Sequence, residues 1–109
     1  MSRKPLGADT IDAVAARFKV LAEPARLSVL NQLRSGPLNV SDLIGATGLS
    51  QANLSKHLQL LHVHGFVGRR RDGLFVIYEL ADTSVFTLCD IMCGQLKRRV
   101  AAEATRLRA

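Results

Sequence analysis

Five side chains that can hydrogen-bond outward crowd into one short segment. In the run Leu49-Ser50-Gln51-Ala52-Asn53-Leu54-Ser55-Lys56-His57-Leu58, the residues Gln51, Asn53, Ser55, Lys56 and His57 alternate with leucines. Leu54, Leu58 and Leu61 recur at helical spacing, so one face is apolar and the other polar. Ser50 is placed to cap the helix, its hydroxyl accepting from a free backbone N–H of the first turn. A short helix with an apolar back and a polar, uncharged-to-basic front suits insertion into the major groove of DNA. An ordinary amphipathic surface helix would carry the same pattern, so the neighbouring elements decide between the two.

Two further groups could do chemistry. Arg69, Arg70 and Arg71 are consecutive, and guanidinium groups so placed bind backbone phosphate or enter a minor groove. The competing reading is a solvated strand edge whose charge deters edge-to-edge pairing. Cys89 and Cys93 are four apart, hence on one helix face and within side-chain reach of each other. Such a pair could ligate arsenite or another thiophilic ion, with a third thiol from a partner subunit. It could also be oxidised to a disulfide or polysulfide bridge, at the expense of local helix geometry. Packing is the plain alternative, because a buried free cysteine behaves as a small hydrophobe.

The elements that must position these groups read as follows. Residues 1–9 contain Pro5 and Gly7 and form a loose tail. A first helix runs from about Thr10 to Leu21, capped by Asp9 or Thr10, with Ile11, Val14, Phe18 and Leu21 on one stripe. Glu23-Pro24 restarts the chain into a second helix, Ala25 to Leu33, which buries Leu27, Val29, Leu30 and Leu33. Ser35-Gly36-Pro37 ends it. Asn39 or Ser41 begins a third helix through about Ala46, with Leu43 and Ile44 inward. Gly48 turns the chain into the fourth helix, Ser50 to about His62, so the pair forms a helix-turn-helix. Two strand-like stretches follow, separated by Asp72-Gly73, a strong hairpin signal. A last helix is capped by Asp82 or Ser84 and reaches about Thr105, burying Val85, Cys89, Met92, Leu96 and Val100 or their neighbours. Residues 106–109 are a basic tail. The expected fold is therefore mainly α with a two-stranded β-wing, in the order α-α-α-α-β-β-α, within one domain over residues 10–105.

Composition narrows the function. The chain has 109 residues, 48% hydrophobic, enough for a core but small enough that a dimer sharing its core is expected. The formal charge of +6 attracts polyanions. With no Trp and one Tyr, stacking on single-stranded nucleic acid is poorly supported. No apolar run approaches the roughly 20 residues needed to span a bilayer, and no apolar stretch follows the basic N-terminus. The expected location is cytoplasmic, where both cysteines would be thiols. There is no Gly-rich phosphate loop, no metal-ligand cluster and no Cys-x-x-Cys pair, so an enzyme is not expected.

The order of elements is that of a winged helix-turn-helix, and the sequence resembles the ArsR/SmtB family of bacterial repressors. Phe18-Lys19-Val20-Leu21-Ala22-Glu23-Pro24-Ala25-Arg26-Leu27 carries the resemblance. So do Leu49-Ser50-Gln51, Ser55-Lys56-His57-Leu58, Leu61 to Gly65-Phe66-Val67, and the wing from Arg70 to Leu80. The resemblance covers roughly residues 10 to 100. It implies a homodimer, joined through the first and last helices, that binds a palindromic operator in double-stranded DNA and leaves it when an inducer acts. Ser50, Gln51, Asn53, Ser55, Lys56 and His57 would then face DNA, with Arg69, Arg70 and Arg71 along the wing. Gln and Asn amides can pair with adenine edges, while Ser and Lys commonly meet phosphates. His57 is open to a second reading, an imidazole holding the helix against its own domain.

The resemblance also bears on sensing. Where family members hold metal through a pattern like Leu-Cys-Val-Cys-Asp-Leu, this chain has Leu38-Asn39-Val40-Ser41-Asp42-Leu43, and an amide and a hydroxyl are poor soft-metal ligands. The family's second site, on the last helix, keeps Asp82 but has Ser84, Gln95 and Arg98 at its other places. Neither metal site is expected. His62 and His64 read as surface or hinge-packing residues. Cys89 and Cys93 remain as the candidates for a thiol-reactive signal. The alternatives are a winged-helix regulator without a sensor, or a protein-interaction module whose cysteines only pack.

Overall fold

The computed structural model describes residues 4–108. Five helices and three strands follow the order α1 (Ala8–Leu21), α2 (Pro24–Gln32), β1 (Leu38–Asn39), α3 (Val40–Thr47), α4 (Gln51–Val63), β2 (Val67–Asp72), β3 (Phe75–Leu80) and α5 (Ser84–Arg108). A single 3-10 turn, Leu33–Ser35, follows α2.

The core is assembled from one face of each central element. Val20, Val29, Leu30, Leu33, Leu43, Leu54, Leu58, Leu61, Phe66, Val67, Tyr78 and Val85 are buried together. Among the described residues no polar or charged residue is buried. The interior therefore pays no desolvation cost for polar groups, and its cohesion is apolar burial.

Local signals start and stop the helices. Pro24 occupies the first turn of α2, where its missing N–H costs nothing, and Glu23 Oε1 accepts from Ala25 N. Asn39 caps α3, its Oδ1 accepting from Asp42 N at 2.7 Å. Gly48 ends α3 with φ +72°, a left-handed conformation that a side chain would strain. Ser50 then caps α4, its Oγ accepting from Asn53 N at 3.2 Å.

The sheet departs from expectation in two ways. It has three strands, in the order β1-β3-β2, because Leu38 and Asn39 pair antiparallel with Tyr78 and Ile77. A two-residue strand is too short to leave a periodic signal. The hairpin is also shifted by one residue. Asp72 pairs with Phe75, so Gly73 and Leu74 form the loop. Only Gly73 there has positive φ, +59°, which is the pattern of a Gly-X turn and not of an Asp-Gly one.

The outer helices differ more. α1 begins at Ala8 after Gly7, not at Thr10 with a side-chain cap, so Ala8 and Asp9 are helical instead of lying in a tail. α5 continues through Arg108, past the expected end at Thr105 and into the expected basic tail. Met1 to Arg3 and Ala109 lie outside the described residues. The expected apolar stripe of α1 stands in solvent: Ile11, Val14 and Phe18 are exposed, and Val20 is the helix's one buried residue. Leu27 of α2 is exposed as well. On α5 only Val85 is buried, while Met92, Leu96 and Val100 are 56, 56 and 68% exposed. Met92, Leu96 and Val100 were expected to be buried, and within one chain they are not; the expectation that the first and last helices each keep an apolar stripe for pairing between copies is compatible with this exposure. Among the described residues no helix is long and apolar enough to cross a membrane.

Candidate nucleic-acid interface

α4 places its side chains by helical geometry. Leu54, Leu58 and Leu61 are 0, 1 and 0% exposed, and they pin one face to the core. At about 100° per residue, Lys56 then points directly away from the core, with Ser55 and Asn53 flanking it. Ser50, Gln51, Asn53, Ser55 and Lys56 are all exposed. The structure therefore brings five of the six helical candidates onto one open surface. Gln59 joins them, exposed one turn beyond Ser55. Its spacing from Ser55 was legible in the sequence, although the residue had not been singled out.

His57 differs from the other five. It is half-buried at the margin of the helix, with Nδ1 3.3 Å from Arg26 Nη1. The structure thus realises the reading in which the imidazole touches its own domain, while leaving part of the ring open. Arg26, Ser55, Lys56, His57, Gln59 and Leu60 help line an open groove of about 640 Å³ on this side of the molecule.

The wing sorts its arginines by strand alternation. Residues opposite each other in an antiparallel pair share a face. Arg69 pairs with Tyr78 and Arg71 with Val76, on the face that continues into the core through Val67 and Leu80. Arg70 pairs with Ile77 on the other face. All three are exposed, and they border a hollow of about 430 Å³ with Val76 and Tyr78. At the loop, Leu74 is almost wholly exposed.

Two ties hold the base of this surface. Arg17 of α1 donates to His64 O at 2.7 Å and lies over the Phe66 ring at 4.3 Å from its centroid. His64 Nδ1 lies 3.0 Å from Leu60 O and, facing a carbonyl, donates to it. His64 is thus a packing residue at the hinge between α4 and β2. At the other end, Arg34 pairs with Asp90 at 3.3 Å and lies over Phe86, joining the 3-10 turn after α2 to α5. Asp82 accepts from Ser84 N at 2.8 Å at the start of α5. That bond, with a second from the Ser84 side chain, holds the Asp82 carboxyl below its ordinary range; the more distant Arg17 charge adds a smaller push the same way.

Cys89 and Cys93 lie one turn apart on α5, the first half-buried and the second exposed. Cys89 borders a cavity of about 230 Å³ with Leu27, Leu30, Asn31, Arg34, Val85 and Phe86. Among the described residues no group of three or more His, Cys, Asp or Glu side chains is placed to hold a metal ion.

A capped helix-turn-helix beside an arginine-bearing hairpin defines a DNA-binding winged-helix transcriptional regulator, not an enzyme. Comparison with known proteins gives the family. A profile described as "Bacterial regulatory protein, arsR family" matches residues 23–68. The HTH-type transcriptional regulator NmtR of Mycobacterium tuberculosis is 42% identical over 86 residues, covering 79% of this chain and 72% of NmtR. The crystal structure of M. tuberculosis Rv0081 superposes with a TM-score of 0.81 at 31% identity, covering 90% of this chain and 99% of that one. The solution structure of Mb0332 from Mycobacterium bovis, described as a homodimeric winged helix-turn-helix DNA-binding domain, gives a TM-score of 0.75 at 30% identity, over 92% and 94% of the two chains. The chain belongs to the arsR family of bacterial regulatory proteins.

Proposed function

We propose that this ArsR/SmtB-type repressor acts in the cytoplasm as a homodimer on a palindromic operator in duplex DNA, and that an inducer releases it. One observation carries the reading. α4 buries Leu54, Leu58 and Leu61 completely while presenting Gln51, Asn53, Ser55 and Lys56 together in the open, beside a wing with three exposed arginines. In this reading the amides of Gln51 and Asn53 contact base edges, while Ser50, Ser55, Lys56 and His57 engage phosphate. Arg69, Arg70 and Arg71 grip the flanking backbone or minor groove. The exposed stripes of α1 and α5 supply the dimer contact, which would set two copies of α4 about one DNA turn apart.

The experiment is selection of bound sequences from a random duplex library, followed by titration of the selected duplex across salt concentrations. The expected result is an enriched inverted repeat and an affinity that falls linearly on a log–log salt plot, as counterions are released. Replacing Lys56 and Arg71 by Gln should flatten that slope. No enriched sequence and no salt dependence would mean that this winged helix binds a protein partner instead.

For the inducer, we infer a thiol-reactive signal at Cys89 and Cys93: arsenite or another soft ion, an oxidant, or reactive sulfur. The support is their one-turn separation on a helix whose apolar face awaits a partner, with Cys93 open to solvent. Each protomer supplies two soft donors, so a three-thiol site would need one more from the second copy. A Cys89→Ser/Cys93→Ser variant should hold the selected duplex in arsenite, oxidant and polysulfide alike, while the unmodified protein lets go in at least one. An identical response in both would leave the cysteines as packing residues.

A further inference from the structure

Arg26 is absent from the set of DNA-facing candidates, yet its guanidinium sits where three helices meet. Its Nε donates to Val20 O at 2.5 Å, and its Nη2 donates to Lys19 O at 3.4 Å. Both carbonyls belong to the last turn of α1, where the dipole is negative, and Lys19 O also accepts from Ala22 N at 3.3 Å. Its Nη1 faces His57 Nδ1 on α4 at 3.3 Å. Arg26 itself is carried by α2 and is half-buried. One planar group thus spans α1, α2 and the helix proposed to read DNA.

The chemistry of that last contact is restrictive. A guanidinium is always charged and offers only donors. A ring nitrogen facing it must present a lone pair, so the imidazole proton resides on Nε2. The Nε2–H is then the one donor the ring has left for another partner, and His57 borders the open groove together with Lys56. We propose that Arg26 is a positioning residue for DNA binding: it locks His57 as the Nε2–H tautomer, aims that donor at a phosphate oxygen, and keys the angle of α4 to the end of α1. The inference rests on the reading of α4 as the DNA-facing helix. Lysine cannot substitute, because a single ammonium has no planar fork to bridge two carbonyls and a ring at once.

The test uses the full chain. Magnetic resonance of the ring nitrogens at about pH 8, above the ordinary imidazole range, reads the His57 tautomer without DNA. Affinity for the selected duplex is measured for the unmodified protein, Arg26→Gln, His57→Ala and the double variant. The expected tautomer is Nε2–H, and Arg26→Gln should lose that preference. Arg26→Gln should weaken binding by about tenfold, with the double variant no weaker than His57→Ala alone, the signature of coupled sites. Arg26→Lys should keep net charge without restoring either the tautomer or the affinity. Should Arg26→Gln fail to fold, the unmodified protein's tautomer and the Arg26→Lys variant decide the matter. An Nδ1–H tautomer, a tautomer indifferent to Arg26, additive losses in the cycle or full rescue by lysine would overturn the proposal. A protein that binds no duplex would instead bring down the DNA reading itself.

Discussion

Helices α4 and α5 both carry apolar side chains at helical spacing, but only α4 finishes burying them within one chain. Leu54, Leu58 and Leu61 are sealed against the core, whereas Ile91, Leu96 and Val100 stand 64, 56 and 68% exposed. α4 is flanked by a capped turn before it and a hinge after it, and α2, α3 and β2 close around its apolar face. α5 meets the domain through its first turns, where Val85 is buried, Phe86 packs and Arg34 reaches Asp90, and then runs on without cover. Periodicity reports that a face wants covering and is silent about what covers it. Here one face is satisfied by the chain itself, and the other, like the stripe of α1, stays exposed and is the surface the proposed dimer would cover.

This contrast can be broken by substitution. The largest effect is expected in α4. Leu58→Ala opens a cavity in a closed core and should cost about 3 kcal/mol of unfolding free energy, read by denaturant titration. A loss under 1 kcal/mol would mean that the face is less tightly closed than its burial implies.

A smaller effect on folding, but a decisive one on assembly, is expected in α5. Leu96→Glu puts a charge into the uncovered stripe. It should weaken self-association by at least about tenfold in sedimentation equilibrium, while leaving the helical signal of the monomer in place. Unchanged association would show that this stretch of α5 takes no part in pairing.

The smallest effect concerns how α5 begins. The Asp82 carboxyl is held below its ordinary value of 3.8 by the Ser84 backbone N–H first and the Ser84 hydroxyl second. A depressed carboxylate contributes stability that is present above its unfolded value and is lost as pH falls through the folded one. Asp82→Asn should therefore cost a small, constant amount of stability near neutrality, and the difference from the unmodified protein should shrink on acidification below about pH 4 as the native carboxyl is protonated. Thermal melts across that range measure the difference, and parallel pH profiles would show that the cap does not act through its charge.

Much of the candidate interface was legible before any coordinates. Ser50 as a cap, Gly48 as a turn and the three leucines of α4 are local signals, and local signals survive folding because they depend on neighbours within a turn or two. The same holds for the hairpin, although the Asp-Gly pair drew its loop one residue early. What could not be read were contacts made across the chain. β1 exists because Leu38 meets Tyr78, forty residues on. Arg26 approaches His57 over a separation of 31 residues, and nothing in either segment announces the other. The sides taken by Arg69, Arg70 and Arg71 follow from the register with β3, which three identical residues in a row cannot encode.

The amino-acid order alone determined which segments are helical, where α4 begins, that its polar groups share a face, and that the molecule carries excess positive charge. These depend on backbone propensities, capping groups and periodicity, all of which act over short range. The tertiary structure decided which apolar stripes one chain can bury and which it leaves exposed, and that His57 meets Arg26. Those outcomes rest on packing between segments distant in sequence, where shape and available volume select the neighbour.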